Sequence, residues 1–378
     1  MKTLPLLLFW GLWYLNFSSR AVLSPLLPII EDEFTISHAL AGSIFTFLSI
    51  GFTITLLLSA LLAARIGYKK CIALGFLILA VSMFGLKCAV TFTSLALVAF
   101  FIGLGAGFYI PSAIPLLTEI FETKDWGKAI ALHDTGASFS ILSVPVLTAI
   151  AVRFLHWRTL FLILGASCLV LLVFLWVFSP DPRPQREKQT QFTRVLRRRD
   201  LWIMAVLWVF ASANSLGLYN LIPLFLVKEK GIDLEIANTI FGLSRIGGLF
   251  ASVLIGFLVD RFGAKRILLT VLLTTALTTV GIAVSPTFPL LVVMLTFQAT
   301  VSTSFFPAGF VAISKLTDLS ERSIYTGVTA AFGVIFGLGL TPAILGAVAD
   351  VWGFRPGILF LGVLTVFSCG LIRGLGKV

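Results

Sequence analysis

Long stretches with almost no charge follow one another down this chain, and most ionisable groups lie in the short gaps between them. A run of roughly 20 apolar residues is what a helix needs to cross the hydrocarbon core of a bilayer. No water reaches the backbone there, so each run must close its own hydrogen bonds as a helix. The pattern therefore predicts an all-α polytopic membrane protein. Twelve transmembrane helices are expected, near residues 5–30, 38–63, 70–90, 94–118, 128–150, 158–179, 201–224, 236–259, 266–284, 289–313, 324–348 and 357–373. Hydrophobic residues make up 58% of the chain and charged residues 12%, roughly half the charge of an ordinary soluble domain.

The crossings fall into two related sets. Gly256, Asp260, Arg261, Gly263, Lys265 and Arg266 end one apolar run and begin the next. An offset of 196 lands on Ala60, Ala64, Arg65, Gly67, Lys69 and Lys70, a worn copy of the same element. Pro111 and Pro307 share that offset, while Pro145 and Pro342, Arg158 and Arg355, and Gly165 and Gly362 are separated by 197. A duplicated chain follows: two pseudo-symmetric six-helix bundles over 1–179 and 201–378, joined by a basic linker over 180–200. Pro180, Pro182 and Pro184 break the sixth helix, and Arg194, Arg197, Arg198 and Arg199 can lie at an anionic leaflet. Parallel repeats of this kind build transporters.

The net charge of +11 would suggest a nucleic-acid partner in a soluble chain. Here the bases collect in alternate loops, so no nucleic-acid partner is expected. The positive-inside rule instead places both termini in the cytoplasm, in an inner membrane. The first apolar run continues to Ile30 and reads as a crossing rather than a cleavable signal peptide. Cys71, Cys88, Cys168 and Cys369 lack metal-ligand spacing, and no metal or cofactor is expected. No Ser-His-Asp order or phosphate loop emerges; Gly103, Gly105 and Gly107 lie inside an apolar run without a preceding strand. The chain is not read as an enzyme.

With twelve helices, two related halves and the Gly256–Arg266 motif in place, the chain resembles a major facilitator superfamily transporter. The motif resembles that family's cytoplasmic loop signature between helices eight and nine. The resemblance implies alternating access by two six-helix domains, functional as a monomer. It implies gating by Asp260, Arg261, Gly263, Lys265 and Arg266, with Arg65, Gly67 and Lys69 as the counterpart. Asp260 would bond helix N-termini or bases, Arg261 and Lys265 would hold an inner gate closed, and Gly263 would allow the turn. Ala64 stands where the family has an acid, which makes the expected gate asymmetric.

Two arginines lie too deep to reach water easily: Arg20 in the first crossing and Arg245 in the eighth. A charge at that depth faces protein interior or a wet cavity. Arginine stays protonated and offers a planar fork to carboxylates and oxyanions. Two such groups without an acid at their depth would repel unless an anion joined them. The expected substrate is a small organic or inorganic anion, and the first-helix pattern Arg20, Pro25, Pro28 resembles anion-handling branches of the superfamily, of cyanate, nitrate, oxalate and monocarboxylate type. Tyr14, Asn16, Tyr109, Asn214, Tyr219, Asn220 and Gln298 are further candidate substrate contacts. His133 and Asp134, early in the fifth crossing, are candidates for coupling to a proton, the expected coupling ion. Membrane lipid is the remaining expected partner. The alternative reading is efflux of lipophilic compounds by proton antiport. Against it, the fifth crossing ends in Val144-Pro145 where exporters of that kind carry Gly-Pro.

Overall fold

The computed structural model describes residues 3–179 and 192–376. The linker prolines, Lys2 and Lys377 lie outside the described residues. All regular structure among the described residues is helical.

The sequence's first half forms α1 (Thr3–Ala21), α2 (Leu23–Phe34), α3 (His38–Ile66), α4 (Tyr68–Leu86), α5 (Phe92–Gly107), α6 (Tyr109–Ile120), α7 (Trp126–Ala151) and α8 (Trp157–Phe178). A short α9 (Phe192–Leu196) follows. The second half forms α10 (Arg199–Ser212), α11 (Leu218–Lys228), α12 (Leu234–Leu243), α13 (Ile246–Phe262), α14 (Ala264–Val284) and α15 (Phe288–Ser302). It ends with α16 (Phe305–Leu316), α17 (Leu319–Phe332), α18 (Thr341–Trp352) and α19 (Phe354–Ser368). Ten stretches of described helix are long and apolar enough to cross a membrane, or 11 if a pair bent by 44° within 234–262 counts as one span. The expected first crossing, α1–α2, is not among these stretches, so the expected count of twelve is not reached.

The breaks have local causes. Pro111 cannot donate to Gly107 O, and Pro307 cannot donate to Thr303 O, so α5–α6 and α15–α16 part at equivalent places. Pro25 likewise frees Ala21 O at the α1–α2 junction. No proline interrupts α12–α13. There the chain tightens into i to i−3 bonds, Arg245 N to Gly242 O and Gly248 N to Arg245 O, each 3.1 Å, beside a Ser-Arg-Ile-Gly-Gly run that favours a kink. Two further spans carry π-helical turns, Ala213–Gly217 between α10 and α11 and Gly333–Leu340 between α17 and α18.

Contacts sort the chain into two units. The first comprises Met1–Thr35, Phe47–Glu187 and Leu234–Thr239; the second comprises Ile36–Thr46, Lys188–Asp233 and Ile240–Val378. Two short segments are thus exchanged relative to the halves expected from the repeat. In the first unit Arg153 pairs with Glu235, and Asn238 Nδ2 donates to Pro25 O at 3.1 Å. In the second, Asp350 accepts from His38 N and Ala39 N at 2.8 and 3.1 Å and caps α3.

Inside the units the duplication reaches single hydrogen bonds. In the first, Glu33 at the end of α2 takes Arg158 and Trp157 of α8, and Arg158 Nη2 donates to Ala89 O at 2.8 Å. In the second, Glu229 after α11 takes Arg355 and the Phe354 N–H, and Arg355 Nη2 reaches Ser285 O at 3.4 Å. Every member of the second set sits 196 or 197 positions after its counterpart. The same acid–arginine–carbonyl clamp ties three helices in each unit.

Candidate functional site

The two deep arginines both lie at helix breaks. Arg20 is two residues before the α1–α2 junction, and Arg245 is in the α12–α13 junction. Interrupted helices expose backbone groups that bind solutes in transporters. Arg20 and Arg245 belong to different units, and each site is built by its own neighbours.

Arg245 is 5% exposed. Its guanidinium carbon lies 3.2 Å from the centroid of the Tyr219 ring, close enough for cation–π attraction. Nη2 donates to Ser215 O, a carbonyl of the π turn, where the wider helix frees acceptors. Nε and Nη1 are buried with no hydrogen-bond partner. Tyr219 is held below by its hydroxyl, which bonds Phe241 O and Ser244 Oγ. No described carboxylate pairs with Arg245. A buried guanidinium with two unbonded nitrogens is costly unless an anion completes it.

Arg20 is half-buried and better satisfied. Nε and Nη2 each lie 3.4 Å from Asn16, at its carbonyl and its Oδ1. The guanidinium sits over the rings of Phe17 and Phe52, at 4.4 and 4.8 Å. Asn16 is fully buried and donates to Ala106 O at 3.1 Å, so it positions Arg20 rather than meeting a solute.

The α1–α7 face carries the remaining first-unit candidates. Tyr109 donates to Phe9 O at 2.8 Å and lies 3.0 Å from His133 Nε2. With that hydroxyl hydrogen spent on Phe9, Nε2 must be the donor, which leaves Nδ1 a bare acceptor; it is buried and unbonded. Trp13 stacks on both Tyr109 and His133. Its indole N–H reaches Asp134 Oδ1 at 3.3 Å. Asp134 is exposed, although it lies within a membrane span. Trp10 and Tyr14 stack on each other at 5.5 Å, Trp10 donates to Thr135 Oγ1, and Tyr14 shares a hydrogen bond with Ser143.

Several expected substrate contacts instead serve packing. Asn214 donates to Thr365 Oγ1 and accepts from Thr279 Oγ1, while Gln298 donates to Asn214 O and to Thr279. This network is buried and internally bonded, so in this conformation the polar groups of Asn214 and Gln298 are engaged within the protein. Tyr109 is engaged by its two bonds, and Tyr219 acts as the platform under Arg245. Asn220 is half-buried.

The expected gate divides too. Gly67 and Gly263 adopt φ of 94° and 84°, conformations that favour glycine, and begin α4 and α14 as anticipated. Lys69 Nζ, however, donates to Ser179 O at 2.7 Å and Trp176 O at 3.0 Å. Lys265 Nζ donates to Leu375 O at 2.8 Å and Arg373 O at 3.3 Å. Both lysines cap the carboxyl end of the last helix in their own unit, where a cation meets free carbonyls. Asp260, Arg65, Arg261 and Arg266 are exposed and form no ion pair among the described residues.

One charged cluster was missed. Arg198 pairs with Asp200 and Glu321 at 2.6 Å each and donates to Leu316 O. The linker's arginine run gave the signal, but its partner lies across 123 positions.

The family profile described as Major Facilitator Superfamily matches residues 10–251 and 217–375. The chain belongs to the Major Facilitator Superfamily. It is a multi-pass membrane transporter working by alternating access, and not an enzyme. An uncharacterised MFS-type transporter, YceJ, of Bacillus subtilis (strain 168) is 22% identical over 96% of this chain and 95% of its own. The hexuronate transporter of the same organism is 24% identical, over 98% and 94%. Among solved structures, a bacterial homologue of the human lysosomal transporter Spinster, inward-facing and occupied, matches with a TM-score of 0.87 at 17% identity, covering 99% and 96%. These relatives do not gather the chain into one anion-handling branch of the superfamily.

Proposed function

We propose that this transporter moves a small anionic solute, with Arg245 as the principal binding group and Arg20 as a second cation. The observation that carries the proposal is Arg245 itself: a buried guanidinium with Nε and Nη1 unbonded, set in a helix break. A carboxylate or similar oxyanion can accept from the bare Nε–H or from the bare Nη1–H. A relative of nearly equal length named for a hexuronate, a sugar carboxylate, supports the organic-anion class. Asp134 is the expected proton carrier because it alone of the pair is exposed, and protonation there would offset the charge of the anion. The arrangement of bases in the sequence supports a bacterial inner membrane with both termini in the cytoplasm, and the protein acts as a monomer.

Thermal unfolding of the purified protein with nitrate, formate, lactate, oxalate, phosphate and a hexuronate tests the class. One of these stabilises the wild type and fails to stabilise Arg245→Gln; equal behaviour of the two proteins with every anion contradicts it. The second reading, export of lipophilic compounds by proton antiport, rests on the exposed Asp134 together with the Trp10–Tyr14 stack, features suited to a cationic amphiphile. Stabilisation by such a cation, lost in Asp134→Asn, would favour it.

A further inference from the structure

The duplicated clamp is closed in one unit and open in the other. In the first unit the residue after Glu33 is Phe34, whose ring lies 5.7 Å from the Arg158 guanidinium. In the second unit the residue after Glu229 is Lys230. Lys230 and Arg355 line a cavity of about 200 Å³ with Ser285, Thr287, Phe288 and Leu291 on its wall.

The charges in this cavity do not balance. Arg355 spends Nε on Glu229 and Nη2 on Ser285 O, and Nη1 bonds no described residue. Lys230 forms no ion pair with a described acid; its ammonium lies 5.4 Å from the Phe225 ring. Glu229 is one carboxylate beside two cations. Burial and then the Arg355 charge hold the Lys230 ammonium below its ordinary range, with Glu229 opposing them. Repulsion between the two cations is relieved by a bound anion.

We propose that this cavity is a binding site for a phosphate group, contacted by Lys230 and Arg355. Thr287 adds a hydroxyl, and Phe288 and Leu291 give one apolar wall. Cations against an apolar wall at the end of membrane helices suit a phospholipid headgroup, and the same contacts serve a free phosphate. The site lies wholly in the second unit and uses no residue of the Arg245 site.

The repeat supplies the decisive variant. Lys230→Phe restores the residue found at the equivalent position of the first unit, and Lys230→Gln removes the charge alone. Full-length protein would be purified in detergent, reconstituted with phosphatidylglycerol or phosphatidylcholine, and examined by native mass spectrometry. Inorganic phosphate would be titrated in a parallel thermal-unfolding series. The expected result is retained phosphatidylglycerol on the wild type and about tenfold weaker retention on both variants. A free-phosphate source would instead show as stabilisation by inorganic phosphate, lost in both variants, with little lipid retained. Equal retention and equal phosphate response in wild type and both variants would overturn the site. So would an adduct that survives on Lys230→Phe and Lys230→Gln at wild-type occupancy.

Discussion

Arg20 and Arg245 are both cations in membrane helices, yet their surroundings differ. Arg20 has a dedicated acceptor in Asn16 and two aromatic neighbours. Arg245 has one carbonyl and one ring, with two nitrogens left bare. One is held in place by the protein; the other is held open for something else. The difference teaches that depth alone does not identify a binding arginine. Unspent hydrogen-bonding capacity does.

The comparison can be broken by mutation. Arg245→Gln should cost the most, about 3 kcal/mol or on the order of 100-fold in uptake, because it removes the charge the anion completes. Arg20→Gln should cost about tenfold, since Asn16 already satisfies part of its fork. Equal losses in proteoliposome uptake would erase the distinction drawn between them. Tyr219→Phe keeps the ring under Arg245 and removes only its hydroxyl bonds. It should weaken apparent affinity several-fold, by about 1 kcal/mol, with little change in the maximal rate; a lost maximal rate would show the hydroxyl takes part in turnover.

The smaller effects concern the clamps and caps that both units share. Lys69→Ala and Lys265→Ala should each lower stability by about 1 kcal/mol in thermal unfolding, through loss of a helix cap. If either instead alters transport with stability unchanged, it belongs to a gate after all. At the first clamp, burial raises the Glu33 carboxyl, but hydrogen bonds from Arg158 and Trp157 and the Arg158 charge outweigh it and leave the group below its ordinary value of 4.5. A depressed carboxyl stabilises the fold above the unfolded value and loses that contribution as pH falls through the folded one. Acid unfolding of Arg158→Gln should therefore begin at higher pH than that of the wild type, and coincident curves would remove Glu33 from the account.

Much of the fold was legible because a bilayer leaves few choices. Apolar runs gave the spans, Pro111 and Pro307 gave equivalent breaks, and the offset of 196 foretold Gly67 with Gly263. An offset of 197 already paired Arg158 with Arg355, though not the acids and carbonyls they bind. The α12–α13 break was not legible, because no proline stands at Ser244 or Arg245 to mark it. Nor could the sequence separate Asn214 and Gln298 from solute contacts. An amide in a membrane helix reads alike whether its partner is a ligand or Thr279 and Thr365, and only the packed helices choose. The carbonyl partners of Lys69 and Lys265 were not legible for a similar reason: they lie 110 positions away.

The most direct measurement is uptake of the anion that stabilises the wild type, in proteoliposomes, by wild type and Arg245→Gln side by side, with Arg245→Lys as a third protein. The account predicts saturable uptake by the wild type, near-total loss in Arg245→Gln, and partial recovery in Arg245→Lys, which restores the charge without the fork. Wild-type rates of anion uptake in Arg245→Gln would contradict it.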